Sequence, residues 1–115
     1  MGEIMIIATF PTLTDENRGE FTKRADEAIA LAQNEPGTMR YDWHFPEDKS
    51  RWVVVEQYID SDAVLAHLAN QGAGIAGLAK LAGGLNLQVF GDLSPQLAQA
   101  LQAAAPPVYS RFAGK

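Results

Sequence analysis

A hairpin near the middle of the chain limits the folds that this sequence can adopt. From Met39 to Phe45, apolar residues alternate with polar ones, and this period of two is typical of a β-strand with one apolar face. A polar loop, Pro46 to Ser50, follows it, and then comes the largely apolar run Trp52 to Ile59. Two strands that are joined by so short a loop pair in antiparallel fashion, so the sequence predicts a β-hairpin here.

One strand and one helix are predicted before this hairpin. Ile4 to Phe10 is β-branched and apolar at nearly every position, which favours a strand in the interior of a sheet. Thr14 is followed by two acidic residues, a common helix start, and apolar residues then recur at helical spacing as far as Ala32. Pro36-Gly37 predicts a turn that leads into the hairpin.

Two helices and a fourth strand are predicted after the hairpin. Asp60 to Asp62 has the composition of a helix cap, and we expect a helix from Ala63 to about Asn70. A glycine-rich link separates this helix from a second short one, Ile75 to Leu81. Leu85 to Phe90 predicts the fourth strand.

The predicted order of elements is β-α-β-β-α-β, which is the ferredoxin-like arrangement. We expect one α+β domain over residues 1–115, with a core of about residues 4–92 built on an antiparallel four-stranded sheet. A C-terminal helical extension, residues 93–115, follows, and Ser94-Pro95 begins its helix, Gln96 to Ala104. Helices on one face leave the other sheet face bare, so we expect a homodimer whose sheets pack face to face.

The composition excludes several classes of function. The chain has no cysteine, which excludes disulfides, iron–sulfur clusters and thiolate metal sites. A formal charge of −5 and a single adjacent basic pair, Lys23-Arg24, disfavour binding to nucleic acid. No apolar run reaches the length of a membrane span, and the residues after Met1 lack a signal-peptide pattern. We therefore expect a cytoplasmic protein that binds no membrane.

Two stretches of the sequence carry a family resemblance. Glu35 to Tyr41 resembles a turn into a second strand. Arg51 to Tyr58, followed by Asp60 to His67, resembles a signature of a strand glutamate, an aromatic residue two positions later, and an acid–alanine–leucine helix that bears a histidine. With the order of the elements, these stretches make about residues 4–92 similar to the antibiotic biosynthesis monooxygenase family.

The resemblance implies a dimeric α/β-barrel and a choice of activities. Some members of the family oxygenate quinols or polycyclic anthrones with molecular oxygen and without a bound flavin or metal; others degrade haem, and others have no known activity. The haem-degrading members use an asparagine on the first strand, a tryptophan and a histidine. This sequence lacks that asparagine and has Tyr58 at the tryptophan position, which argues against haem degradation.

Three residues are candidates for catalysis. His67 is the best, because histidine titrates near neutral pH and its helix follows the strand of Glu56. His67 would orient or deprotonate a ligand, Glu56 would hold the histidine, and the hydroxyl of Tyr58 would hold a phenolic substrate. The alternatives are structural: a buried histidine satisfied by Glu56 or a backbone carbonyl, an ion pair of Glu56 with His67, Arg40 or Arg51, and core packing of Tyr58.

Four further residues are candidates for substrate binding. Trp52 and Val54 share one strand face with the two catalytic candidates of that strand, and this mixture of aromatic, aliphatic and acidic side chains is typical of a pocket wall. Tyr41 and Trp43 lie on one face of the neighbouring strand. Such a stripe also fits a packed core or an interface, and these alternatives stay open.

No residues are predicted to bind a cofactor or a metal ion. Gly72 to Gly77 matches the glycine spacing of a dinucleotide-binding loop, but a helix precedes it where that loop needs a strand. We interpret it as a flexible link that packs closely and could gate a pocket. His44 and His67 are too far apart in the sequence pattern to form a metal site.

These features predict a monooxygenase that needs no cofactor and uses molecular oxygen as co-substrate. Its substrate would be a quinol, an anthrone or a similar electron-rich, hydrophobic small molecule whose anion can give an electron to oxygen. One alternative is a non-catalytic dimeric module that binds a small molecule or has a structural role. Another is an isomerase or cyclase of a small cyclic metabolite, which would need the same base and no oxygen.

Overall fold

The order of secondary structure elements follows the predicted plan, with one additional strand. The computed structural model describes residues 2–115. The elements are β1 (Ile4–Phe10), α1 (Asp15–Ala32), β2 (Thr38–His44), β3 (Trp52–Tyr58), α2 (Ser61–Leu81), β4 (Asn86–Phe90), α3 (Pro95–Ala100) and β5 (Val108–Tyr109).

The sheet has the strand order β2-β3-β1-β4-β5. The first four strands pair in antiparallel fashion, which confirms the predicted ferredoxin-like core. The predicted number of four strands is wrong, because β5 joins the edge of β4 in parallel. Pro107 and Tyr109 supply carbonyl groups that accept hydrogen bonds from Val89 and Gly91. A strand of two residues shows no periodicity, so the sequence pattern did not reveal it.

The prediction of two helices after the hairpin is also wrong, since α2 is one continuous helix of 21 residues. Its N-cap is Asp60, whose carboxylate accepts a hydrogen bond from the backbone N–H of Ala63 at 2.9 Å. A glycine inside a helix costs about 1 kcal/mol relative to alanine, which packing against neighbouring elements can outweigh. A Cβ at Gly77 would lie 2.6 Å from the guanidinium of Arg24 on α1, a contact that this flexible side chain can relieve by moving. The terminal helix α3 is shorter than predicted and ends at Ala100.

Buried and half-buried residues alternate along the central strands β1 and β3, so the sheet has two different faces. Trp52, Val54, Glu56 and Tyr58 are all buried on the face that the helices cover, which confirms that they share one side of β3. The residues between them are only half buried, and so are their neighbours on β1. The sheet therefore has a covered face and an open face.

The core has two parts, and Leu87 packs against both. One is largely aromatic and includes Phe10, Phe21 and Trp52, and the other is largely aliphatic and includes Ile6 and Val64. Of the helices in residues 2–115, none combines the length and the apolar character that crossing a bilayer requires.

Candidate active site

His67 lies on the buried face of α2, against the sheet. This face consists of Val64, His67, Gln71 and Leu78, whose spacing matches the helical repeat. Only 2% of the surface of His67 is exposed. An imidazole with two polar nitrogens at such a place needs hydrogen-bond partners.

The Nδ1 atom of His67 has a partner, and it is the carboxylate of Glu35. The two atoms, Nδ1 and Oε1, lie 2.9 Å apart. An ionised carboxylate only accepts hydrogen bonds, so Nδ1 must carry the proton in the neutral imidazole. The Nε2 atom is then left with a free lone pair, which can accept a hydrogen bond or a proton.

The carboxylate of Glu35 is held by four side-chain donors. Thr38 and His67 donate to Oε1, and Asn70 and Gln71 donate to Oε2, with all four distances between 2.8 and 2.9 Å. Burial acts to raise the pKa of Glu35, but these hydrogen bonds outweigh it and hold the pKa below the ordinary value of 4.5. Glu35 is therefore a buried, stable anion.

A tight turn brings Glu35 to His67 across a separation of 32 residues. The backbone N–H of Thr38 donates to the carbonyl of Glu35, which closes the turn that contains Pro36-Gly37. Gly37 packs so closely on α2 that an added Cβ would lie 2.5 Å from the Cβ of Ala63. A glycine at this position lets the turn approach the helix.

The Nε2 atom of His67 is buried and has no hydrogen-bond partner within the described chain. Oε1 of Glu56 lies 4.0 Å from it, which is too far for a hydrogen bond. The expectation that Glu56 holds the histidine is therefore not met, because Glu35 takes that place. A buried acceptor without a partner is rare in folded proteins and marks Nε2 as the atom to which a ligand can bind.

Glu56 is the second buried carboxyl group near His67, and its environment differs from that of Glu35. Its one side-chain hydrogen bond comes from the hydroxyl of Tyr58, which donates to Oε1 at 2.5 Å. Burial raises the pKa of Glu56 to about 7, against the lowering effect of the Tyr58 hydrogen bond and with the added effect of the charge of Glu35. The two carboxyl groups on either side of His67 thus have pKa values that are shifted in opposite directions, a pattern typical of acid–base sites.

A cavity lies beside these groups, between α2 and the sheet. Its free volume is about 50 Å³, which is room for a few water molecules and less than most small-molecule sites have, so a larger ligand must also occupy its open mouth. Its polar wall consists of Tyr41, Glu56 and His67. The rest of its wall is apolar and consists of Ile6, Ala8, Phe10, Val54, Val64, Leu68, Ile75, Leu85, Leu87 and Leu101.

The cavity brings together four of the seven residues that we identified as site candidates. His67, Glu56, Tyr41 and Val54 are on its wall. Tyr41 donates to Gln71 at 3.4 Å, which links the cavity wall to the residues that hold Glu35. Burial, together with the nearby carboxylates, raises the pKa of Tyr41 well above its ordinary value, so its hydroxyl remains a donor.

The other three candidates lie behind the wall. Tyr58 is fully buried and acts on Glu56 through its hydroxyl, and its ring centre is 5.4 Å from that of His67. Trp43 and Trp52 pack edge to face with each other at 6.3 Å and belong to the aromatic part of the core. The structure therefore does not place either tryptophan on the cavity wall, and core packing accounts for both.

Sequence reasoning missed Glu35, Asn70 and Gln71 as site residues. A signal was present: His67, Asn70 and Gln71 have helical spacing, so three polar side chains recur on one side of α2. In the sequence, Glu35 stands out only as part of a turn motif. Among residues 2–115, no group of three or more histidine, aspartate or glutamate side chains is arranged so that it could hold a metal ion.

Comparison with solved structures shows the same fold in several bacterial proteins. MupZ from Pseudomonas fluorescens is similar over 100% of this chain and 94% of its own, with a TM-score of 0.87 and 20% identity. Rv0793 from Mycobacterium tuberculosis is similar over 81% of this chain and 97% of its own, with a TM-score of 0.70 and 21% identity. A mutant of SnoaB, a cofactor-independent oxygenase from Streptomyces nogalater, is similar over 82% of this chain and 96% of its own. The TM-score is 0.66 and the identity is 20%. A comparison with curated protein sequences gave no match.

A family model identifies the group to which this fold and site belong. The model described as antibiotic biosynthesis monooxygenase matches residues 3–74, which is more than half of the chain. The matched region contains the turn of Glu35, the strand of Glu56 and the first half of α2 with His67. The chain belongs to the antibiotic biosynthesis monooxygenase family.

Proposed function

We propose that this protein is an enzyme in which Nε2 of His67 removes a proton from an apolar, weakly acidic small molecule in the cavity. The observation that carries this proposal is the state of the imidazole. Nδ1 is fixed by a stable carboxylate, and Nε2 is buried without a partner beside an apolar cavity. The negative charge of Glu35 would stabilise the imidazolium that forms when Nε2 takes the proton.

The substrate that we propose is a quinol, an anthrone or a related electron-rich aromatic compound, which reacts with molecular oxygen. Loss of a proton to His67 gives an anion that can transfer an electron to oxygen without a cofactor. For an anthrone, the methylene group and O₂ give a carbonyl group and water, so one oxygen atom enters the product. The family and its cofactor-independent relative support this reaction type.

Glu56 would assist this reaction in its protonated form. A neutral carboxyl group can donate a hydrogen bond to an oxygen atom of the substrate, whereas a carboxylate would repel the anion that forms. With a pKa of about 7, Glu56 loses this proton as the pH rises through neutrality. Turnover should therefore fall as the pH rises above about 7.

Oxygen uptake by the metal-stripped protein, with a panel of quinols and anthrones, tests the proposal. We expect uptake to accelerate over a no-protein control, with an equal amount of oxidised product. His67→Ala should abolish the acceleration, and His44→Ala, at an exposed position on β2, should leave it unchanged. Equal activity of the His67→Ala variant would remove His67 from the mechanism.

An isomerase or cyclase is the second candidate, and one observation favours it. Oε1 of Glu56 lies 4.0 Å from Nε2 of His67, so an acid and a base face the same cavity. Such a pair can move a proton from one atom of a substrate to another and needs no oxygen. Turnover that continues under anaerobic conditions would favour this candidate, and ligand binding without any turnover would favour a non-catalytic binding module.

We propose further that two copies of the protein pair through the open faces of their sheets. Met5, Ile7, Val53 and Val55 form an apolar patch on this face and are only half buried in one chain. Burying such a patch against its own copy is the usual solution for a sheet covered on one side. Light scattering after size exclusion should give a dimer, and Val55→Asp should give a monomer; a wild-type monomer would contradict the proposal.

A further inference from the structure

The cavity has a polar side and an apolar side, and the order of the strands determines which side lies over which strand. Tyr41 on β2 pairs with Glu56 on β3, and Glu56 pairs with Ile6 on β1. The next strand is β4, which contributes the apolar residue Leu87 to the wall. Adjacent strands lie about 4.8 Å apart, so the cavity changes from polar to apolar over about 10 Å from β3 to β4.

Leu101, the residue that follows α3, forms part of the apolar side. It is buried, it lines the cavity, and it belongs to the same aliphatic cluster as Ile6 and Val89. It belongs to the C-terminal extension, residues 93–115, and lies outside the region that the family model matches.

The extension holds Leu101 firmly in place. The backbone N–H of Ser94 donates to the hydroxyl of Ser61 at 3.0 Å, which ties the start of α3 to the start of α2. The hydroxyl of Ser94 caps α3 by accepting from Leu97, and the N–H of Leu101 donates to the carbonyl of Leu97. Beyond Leu101, Ala105 has a φ of 45°, in the left-handed region, between the end of α3 and the start of β5.

We infer that Leu101 is a specificity-determining residue, which sets the length of the apolar part of the ligand. The ligand class is a phenol or enol head, bound at His67 and Glu56, with a linear apolar group that extends over β1 and β4 as far as Leu101. This inference rests on the proposed function for the position of the head group. The limit on length follows from the geometry of the apolar wall.

A series of 4-alkylphenols, from methyl to octyl, tests the inference by titration calorimetry. The wild-type protein should bind each longer phenol up to about fourfold more tightly until the chain reaches Leu101, after which affinity should fall. Leu101→Ala should move the best chain length upward by one or more methylene groups and should bind the longest phenols at least tenfold more tightly. Leu101→Val, a milder change, should move the best length in the same direction.

Leu97→Ala is the matched control. Leu97 is fully buried on α3, four residues before Leu101, but is not on the cavity wall, so this variant should lose stability without a change in the best chain length. An unchanged best length in both Leu101 variants, an equal shift in Leu97→Ala, or no binding by any of the phenols would overturn the inference.

His67→Ala separates this inference from the proposed function. If Leu101→Ala moves the best chain length and His67→Ala keeps full turnover, the inference stands and the catalytic role fails. If the best length does not move and His67→Ala loses turnover, the proposed function stands and the inference fails.

Discussion

The Nδ1 atom of His67 lies 2.9 Å from a carboxylate oxygen of Glu35, and this contact determines what the other side of the ring can do. It fixes the proton of the neutral imidazole on Nδ1 and points the lone pair of Nε2 away from Glu35. Four donors keep the Glu35 carboxylate ionised and in place. The site therefore combines an oriented imidazole, whose Nε2 is unpaired within the described chain, with an apolar cavity.

Glu35→Gln should reduce turnover by about 100-fold or more. The amide oxygen of glutamine can still accept from Nδ1, but it lacks the charge that stabilises the imidazolium. Steady-state kinetics with the best substrate of the oxygen-uptake panel measures the effect. Glu47→Gln, an exposed change with the same loss of charge, should have no effect. Similar turnover by the two variants would contradict the role of Glu35.

The raised pKa of Glu56 should make the free energy of unfolding depend on pH. Its pKa of about 7 in the folded chain exceeds the ordinary value of 4.5, so the folded state binds more protons between these two values. Stability should therefore fall as the pH rises through this window, by roughly 3 kcal/mol in total. Glu56→Gln stays neutral and should lose this part of the dependence. Denaturant titrations at several pH values between the two pKa values measure this dependence. If the free energy of unfolding changes with pH equally in the wild-type protein and in Glu56→Gln, the pKa of Glu56 is not raised.

Tyr58→Phe should move the alkaline fall in turnover to higher pH. The hydroxyl of Tyr58 donates to Glu56 at 2.5 Å and lowers the pKa of that carboxyl group, so its removal should raise the pKa further. Glu56 would then keep its proton to a higher pH. The pH profile of turnover measures the shift, with Tyr109→Phe at a half-exposed position as control. A shift toward lower pH would show that the hydrogen bond acts in the opposite sense.

The sequence predicted the sheet better than it predicted the helices and the site. The first strand, Ile4–Phe10, was predicted to the residue, because both of its faces are apolar and Pro11 follows it. The glycines of α2 predict a link rather than a helix, because local propensity does not include the packing of a helix against a sheet. Glu35 was missed because the contact with His67 spans 32 residues and depends on how the turn packs against α2. The sequence predicts that Trp43 and Trp52 line a pocket, because alternation along a strand gives the face on which a side chain lies. It does not give the neighbours of that side chain.

Two glycine-to-alanine variants should change stability in opposite directions. A Cβ at Gly74, inside α2, would meet no atom within 4 Å, so Gly74→Ala should add about 0.5–1 kcal/mol to the free energy of unfolding. A Cβ at Gly37 would lie 2.5 Å from that of Ala63, so Gly37→Ala should cost about 1–3 kcal/mol. It should also lower turnover, because the turn carries Glu35. Denaturant titration and kinetics measure both effects, and a stabilised Gly37→Ala variant would contradict the close approach of turn and helix.

The protonation state of the His67 ring tests the central claim most directly. Nitrogen-15 NMR of labelled imidazole rings distinguishes a proton on Nδ1 from one on Nε2, and His67→Ala assigns the signal. We predict that the neutral ring of His67 carries its proton on Nδ1, and that added phenol changes the Nε2 signal. A neutral ring with its proton on Nε2 would contradict the account, because His67 could then not accept a proton from a ligand in the cavity.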